Sequence, residues 1–381
     1  MQFRHVLFGT PFPRRLLIIA IAVGSLMTFV WLVLARAQPP DSATSFDLCG
    51  SAIEVHFFGE TNSVTRNDLM SWIHRAGDAV CTYYGQFPVH HLSLDVRARG
   101  GAGVHGGVTY ARGGGYISVS LGAETTVAQL SADWMLTHEM IHLAFPSMTE
   151  KHHWIEEGIS VYVEPVARVQ AGQLSAERMW HDVVRDMPQG EPEPGDQGLD
   201  RTPTWGRTYW GGAMFCLLAD VRIREQTHNQ KGLQDALQGI LAAGGNITQD
   251  WTIERAFVVG DKATGTTVLT DLYNEMRDKP EHVDLAALWK QLGILRQKDG
   301  SIQRNPSASE AEIRDAITRP RSVAPEDNPR QAPLGRNLRD TPAPGHASHD
   351  SARTLCDRFP GRALNASCCH GRYASASSAS S

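Results

Sequence analysis

Several common signals are weak or missing in this sequence, and each absence narrows the field. Charge of one sign is lacking: 36 lysines and arginines stand against 41 aspartates and glutamates, a net of -5. No basic surplus is offered to a phosphate backbone, so nucleic acid is not an expected partner. No segment of 20–50 residues repeats, which excludes a solenoid or propeller. Cysteine is scarce, six in 381 residues, too few for a scaffold held mainly by disulfides. A dinucleotide-binding fingerprint is present only in form. Gly101, Gly103 and Gly106 satisfy GxGxxG after a strand-like run, but such a loop must open a helix. Here the β-patterned stretch 108–121 follows instead, so nucleotide binding is rejected.

Long uncharged apolar runs are also few, and one is telling. Residues 16–35 form twenty such positions behind Arg4, Arg14 and Arg15, long enough to span a bilayer as a helix. Ala35, Arg36 and Ala37 also offer an A-x-A cleavage site. The expectation is a basic cytoplasmic segment at 1–15, a transmembrane anchor or signal peptide at 16–37 and a linker at 38–45. Everything beyond would lie on the extracytoplasmic side, membrane-tethered through 16–37 or released if that segment is cut. Export suits a disulfide between Cys49 and Cys81. Cys216, in an apolar stretch, is expected to be a buried thiol. Residues 321–381, rich in Pro, Ser, Ala and Arg, read as a disordered tail.

The most informative residues are His138, Glu139 and His142, an HExxH pattern in a run (126–143) free of Gly and Pro. At i and i+4 on one helix the two imidazoles share a face. They can grip one Zn²⁺, while Glu139 is placed as general base for water at the metal. Val127, Leu130, Trp134, Ile141 and Leu143 make the run a buried helix, in which these polar groups must find partners. A third ligand is needed, and Glu156 or Glu157 can supply it.

At Trp154, Glu157, Gly158, Tyr162, Val163 and Glu164 the chain resembles the gluzincin superfamily of zinc metallopeptidases, whose aminopeptidases carry W-x-x-E-G-x-x-x-Y-V-E in this register. The glycyl- and alanyl-aminopeptidase-like branches are nearest. The resemblance implies Glu157 as the zinc ligand with His138 and His142, and peptide or protein as substrate. It also implies an α+β, thermolysin-like two-lobed fold over 46–320. An α/β lobe with the HExxH helix would span 46–145 and a mainly helical lobe 146–320. Tyr209 and Gly212 match a Y-x-K-G pattern whose tyrosine donates to the oxyanion, with Gly211 in place of Lys. The superfamily's amine-binding Glu, in a G-x-M-E-N strand, falls at Thr109. That departure weakens aminopeptidase specificity and leaves endopeptidase open. With the loss of the Lys it also keeps a second reading: a membrane-tethered zinc protein that binds without cutting. Glu164, seven residues after Glu157, is either a support for a ligating histidine or an exposed carboxylate. His152 and His153 are expected in a loop or supporting the ligands.

The coarse map places strands at 55–58, 92–96, 107–110 and 116–121, with a helix at 67–80 between the first two. Further helices are expected at 160–172, 175–187, 214–226, 232–244 and 284–295. The polar, proline-rich segment 189–208 is expected to wall or lid the cleft. Nothing in the sequence fixes an oligomeric state.

Overall fold

The computed structural model describes residues 40–319. The expected anchor at 16–37 and the tail at 321–381 lie outside those residues. Among the described residues no helix is long and apolar enough to cross a membrane.

Alternation builds the first half. In β2 (Ser51–Phe58), β3 (His91–Arg99) and β5 (Gly115–Gly122), every second residue is buried over much of the strand. Ile53, Val55, Phe57, Leu92, Leu94, Val96, Ile117, Val119 and Leu121 fill one face, each at most 3% exposed. The period of two carries the polar residues to the other face. Five strands pair in the order β1-β2-β3-β5-β4, with β1 at Ser42–Leu48 and β4 at Val104–Ala111. β2, β3 and β5 run parallel, while the two edge strands are antiparallel to their neighbours. Parallel strands need a crossover; helix α1 (Arg66–Tyr84) supplies it, burying Leu69, Trp72, Ile73 and Val80. The disulfide Cys49–Cys81 ties the β1–β2 turn to the last turn of α1, as expected. Each buried aliphatic side chain is worth roughly 1.5–3 kcal/mol, and one cross-link of this span about 3–4 kcal/mol. The core, not the cystine, therefore holds the sheet.

The second half is helical and shares that core without a break. Helix α4 (His153–Gln170) is its axis. Against it pack α5 (Ala176–Asp186) and α6 (Gly212–Gln226); α7 (Leu233–Ala242) and α9 (Val268–Met276) pack on α6, and α8 (Ile253–Thr264) on α7 and α9. The class is α+β.

Four expectations need correction. Residues 42–45 of the expected linker belong to β1; its outward side chains are mostly exposed, so no apolar alternation announces it. The run 126–143 is two helices, α2 (Val127–Ala132) and α3 (Met135–His142). Asp133 breaks it with extended backbone and a carboxylate that accepts from the amides of Met135 and Leu136 and from Trp72 Nε1. Such side-chain bonds compete with helix continuation. The helix expected to 295 ends at Gln291, as α10 (Leu285–Gln291), and Ile294–Arg296 pairs with Ile302–Arg304 in a hairpin. Gly293 makes the turn from helix to strand at φ 66°, where a Cβ would meet Asn305 O at 2.4 Å. Helices α8 and α9 were not expected at all.

Candidate metal centre

Two elements bring the site together. Helix α3 presents His138 and Glu139, both buried at 3–4% exposure, and His142 one turn later. Helix α4 presents Glu157 from its first turns. The two helices pack directly, and what fixes α4 is a contact of bare backbone. A Cβ on Gly158 would fall 2.3 Å from the carbonyl carbon of Gly212, and one on Gly212 would fall 2.1 Å from Trp154 O. The glycine after Glu157 is thus required by close helix approach.

His138 Nε2 and His142 Nε2 are 3.2 Å apart, and Glu157 Oε2 lies 3.2 Å from the first and 3.5 Å from the second. It is the one group of three such ligand atoms, all within 4.8 Å, among the described residues. Glu156 is turned elsewhere: its Oε1 accepts from the amide of Met148 at 3.0 Å and its Oε2 faces His153 Nδ1 at 3.2 Å. Geometry thus places Glu157, not Glu156, with the histidines.

The electrostatics couple Glu157 to the imidazoles around it. Burial opposes ionisation of Glu157, but His142, His138 and His153 overcome it and hold its pKa well below the usual carboxylate range. Burial also works against charge on His142, yet Glu157 raises its pKa. His138 Nδ1 is buried with no hydrogen-bond partner. Two imidazole nitrogens and one carboxylate oxygen suit Zn²⁺ and leave a coordination position open.

Glu139 stands beside this cluster, away from solvent. Burial raises its pKa, while His142, His138 and the Thr109 hydroxyl act the other way. Thr109 Oγ1 donates to Glu139 Oε2 at 2.5 Å, from the edge strand β4. That contact was not foreseen; only the missing carboxylate at 109 was. On the same strand Gly107 leaves its Cα bare against Glu139, where a Cβ would meet Cγ at 2.5 Å. The rejected GxGxxG run thus leads into this edge strand.

Other expected residues fall as follows. Tyr209 is half-buried in a π-helical turn (Arg207–Gly211) packed on α4, its ring stacked 5.8 Å from that of Trp205. Glu164 is buried, not exposed, and bonds Arg168 at 2.7 Å; the unpartnered His138 Nδ1 donates no hydrogen bond to it. His153 opens α4 rather than a loop, and its Nε2 lies 3.2 Å from Glu157 Oε1, with its pKa pushed up to about 10. There burial acts against the charge and the bonds to Glu156 and Glu157 prevail. His152 turns away to Tyr273 and Asp200. Cys216 is a buried free thiol.

Segment 189–208, expected to wall or lid the cleft, is pinned to the helices by a set of bonds. Leu199 N and Asp200 N donate to Met276 O and Arg277 O, each at 2.9 Å, and Arg207 pairs with Asp196 at 2.8 Å with both side chains buried. Asp200 accepts from Trp154 Nε1 and the Tyr273 hydroxyl at 2.9 Å each, and meets Lys151 Nζ at 2.9 Å.

No protein-family profile matches the chain, and no curated protein matches it in sequence. Solved structures do match. A crystal structure of an aminopeptidase N family protein from Idiomarina loihiensis aligns at TM-score 0.53 and 14% identity, covering 68% of this chain and 50% of its own. The likeness is one of fold. The chain spans about half the length of that relative. An M1 zinc metallopeptidase from Deinococcus radiodurans aligns at TM-score 0.40 and 12% identity over 63% of this chain and 53% of its own, and adds nothing to the assignment.

Proposed function

We propose that this chain is a zinc-dependent peptide-bond hydrolase of the gluzincin kind. The observation that carries the reading is the convergence of His138 Nε2, His142 Nε2 and Glu157 Oε2, with the Glu139 carboxylate buried beside them. Those three atoms would hold the ion. Bound there, Zn²⁺ would supply Lewis acidity to the scissile carbonyl and make water acidic enough to ionise near neutral pH. Glu139 takes the proton of the attacking water and passes it to the leaving amine. Its desolvated carboxylate, with pKa raised, is a better base than an exposed one. Tyr209 donates to the oxyanion, a role worth roughly 3 kcal/mol in a dry site. His153 steadies Glu157 through its second oxygen.

The substrate is a peptide or protein. Thr109 offers no charge to an α-ammonium, so selection by a free amino end is not built in at that position, and internal bonds are the substrates we favour. We place the reaction outside the cytoplasm, on the anchor or signal reading of 16–37 and on a disulfide suited to an oxidising compartment.

The test is a mixed peptide library treated with the zinc-loaded full chain and with its Glu139→Gln variant, with cuts read by mass spectrometry. Internal cuts made by wild type alone support the proposal. Trimming from free amino ends would move it to an aminopeptidase. No cuts from a zinc-loaded sample would overturn hydrolysis in favour of a zinc-holding binding protein.

A further inference from the structure

We infer that Thr109 is the positioning residue for Glu139, and that with Gly107 it turns the edge strand into a cradle for this carboxylate. The inference rests on the reading of Glu139 as general base. Thr109 is buried on β4 at 8% exposure, and its register is fixed by pairing with Ile117, as that of Gly107 is by pairing with Val119. The period of two sets both on one face of the strand. From there the Thr109 hydroxyl reaches Glu139 twice: Oε2 at 2.5 Å and the backbone carbonyl at 3.0 Å. An Oγ1–H carries a single proton. The shorter contact, to the charge-bearing oxygen, is the stronger acceptor. One carboxylate oxygen is thereby occupied and the other is left for the reaction.

Gly107 supplies the room the carboxylate occupies. A Cβ there would lie 2.7 Å from both Cδ and Oε1 of Glu139, so only a residue without one lets the carboxylate lie in this place against the strand. A glutamate side chain on a helix otherwise turns freely about its χ angles. Holding it in one geometry is what a base needs, and a displacement near 1 Å costs about 100-fold in rate. A neutral hydroxyl already engaged by a carboxylate is not a counter-ion for an ammonium. The position therefore serves the base rather than the substrate's amino end.

The experiment compares the zinc-loaded full chain with Thr109→Val, Thr109→Ser and Gly107→Ala, using an internally quenched peptide as probe, metal analysis, and crystal structures of the wild type and the Val and Ser variants. Thr109→Val is expected to lower kcat about 10–100-fold while KM stays within about threefold and zinc content is unchanged. Thr109→Ser, which restores the hydroxyl, should return kcat to within about threefold of wild type. Gly107→Ala should keep zinc and lose kcat. In the structures, Glu139 should leave its wild-type rotamer in the Val variant and keep it in the Ser variant. Wild-type turnover by Thr109→Val, no rescue by Ser, or an unmoved Glu139 in the Val structure would each overturn the inference. Should the zinc-loaded wild type itself cut nothing, the general-base reading fails, and the rotamer comparison still decides whether Thr109 positions the carboxylate.

Discussion

Two buried acids flank the start of α4, and they are treated in opposite ways. Asp200 is saturated: Trp154 Nε1, the Tyr273 hydroxyl and Lys151 Nζ all lie at 2.9 Å. Those donors hold its pKa far below the usual carboxylate value despite burial. Glu157 sits one turn beyond Trp154 and faces two imidazole nitrogens that also face each other. The first cluster is finished by protein alone and belongs to the scaffold. The second is a set of converging ligand atoms that, on the proposal above, a divalent cation would complete.

The sharpest break of this contrast is His142→Ala. It removes a donor from the incomplete cluster and nothing from the complete one. Peptide hydrolysis should fall by about 10⁴-fold or more, to the limit of a discontinuous assay, while the thermal transition of the metal-free protein stays near that of wild type. A matched loss of fold would mean the histidine is structural.

Next in size is Tyr209→Phe, which leaves both clusters intact and deletes one donor from the proposed reaction. kcat should drop roughly 10²–10³-fold with zinc retained. An unchanged kcat in steady-state assays would leave Tyr209 only as the ring stacked on Trp205.

Asp200→Asn attacks the complete cluster and should reverse the pattern. Stability should fall by about 2–4 kcal/mol, while saturating zinc still gives one ion per chain. The pH dependence follows from the lowered pKa of Asp200. A group depressed in the folded state adds stability above its unfolded value near 3.8, and that contribution is lost as pH falls toward the folded value. The gap in Tm between wild type and Asp200→Asn should therefore be constant from pH 7 to about 5 and shrink toward pH 3. A gap that widens on acidification would contradict the assignment.

How much of this was legible in the sequence varies with the reach of the signal. His138, Glu139 and His142 were readable because helix geometry alone sets their spacing. The residues alone left Glu156 and Glu157 open, and the resemblance over Trp154–Glu164 chose Glu157, whose following glycine lies where α4 meets the backbone of α6. The alternating strands announced themselves for the same local reason. What stayed hidden depends on partners distant in the chain. Asp200 meets Trp154 across 46 residues and Tyr273 across 73, so the sequence could not show that segment 189–208 is pinned to the helices. Thr109 reaches Glu139 across 30 residues, and the sequence showed only the carboxylate it lacks. β1 was missed because its outward side chains are polar and its hold on the sheet is backbone pairing. The helix break at 133 was missed because an aspartate there binds two amides beyond it.

The central claim, that the incomplete cluster is built for a metal, is tested most directly by the zinc content of the wild-type full chain. It would be purified without added metal, dialysed, and read by inductively coupled plasma mass spectrometry before and after incubation with excess Zn²⁺. The account predicts one zinc per chain, retained through dialysis. A folded protein that stays metal-free in excess zinc would contradict it.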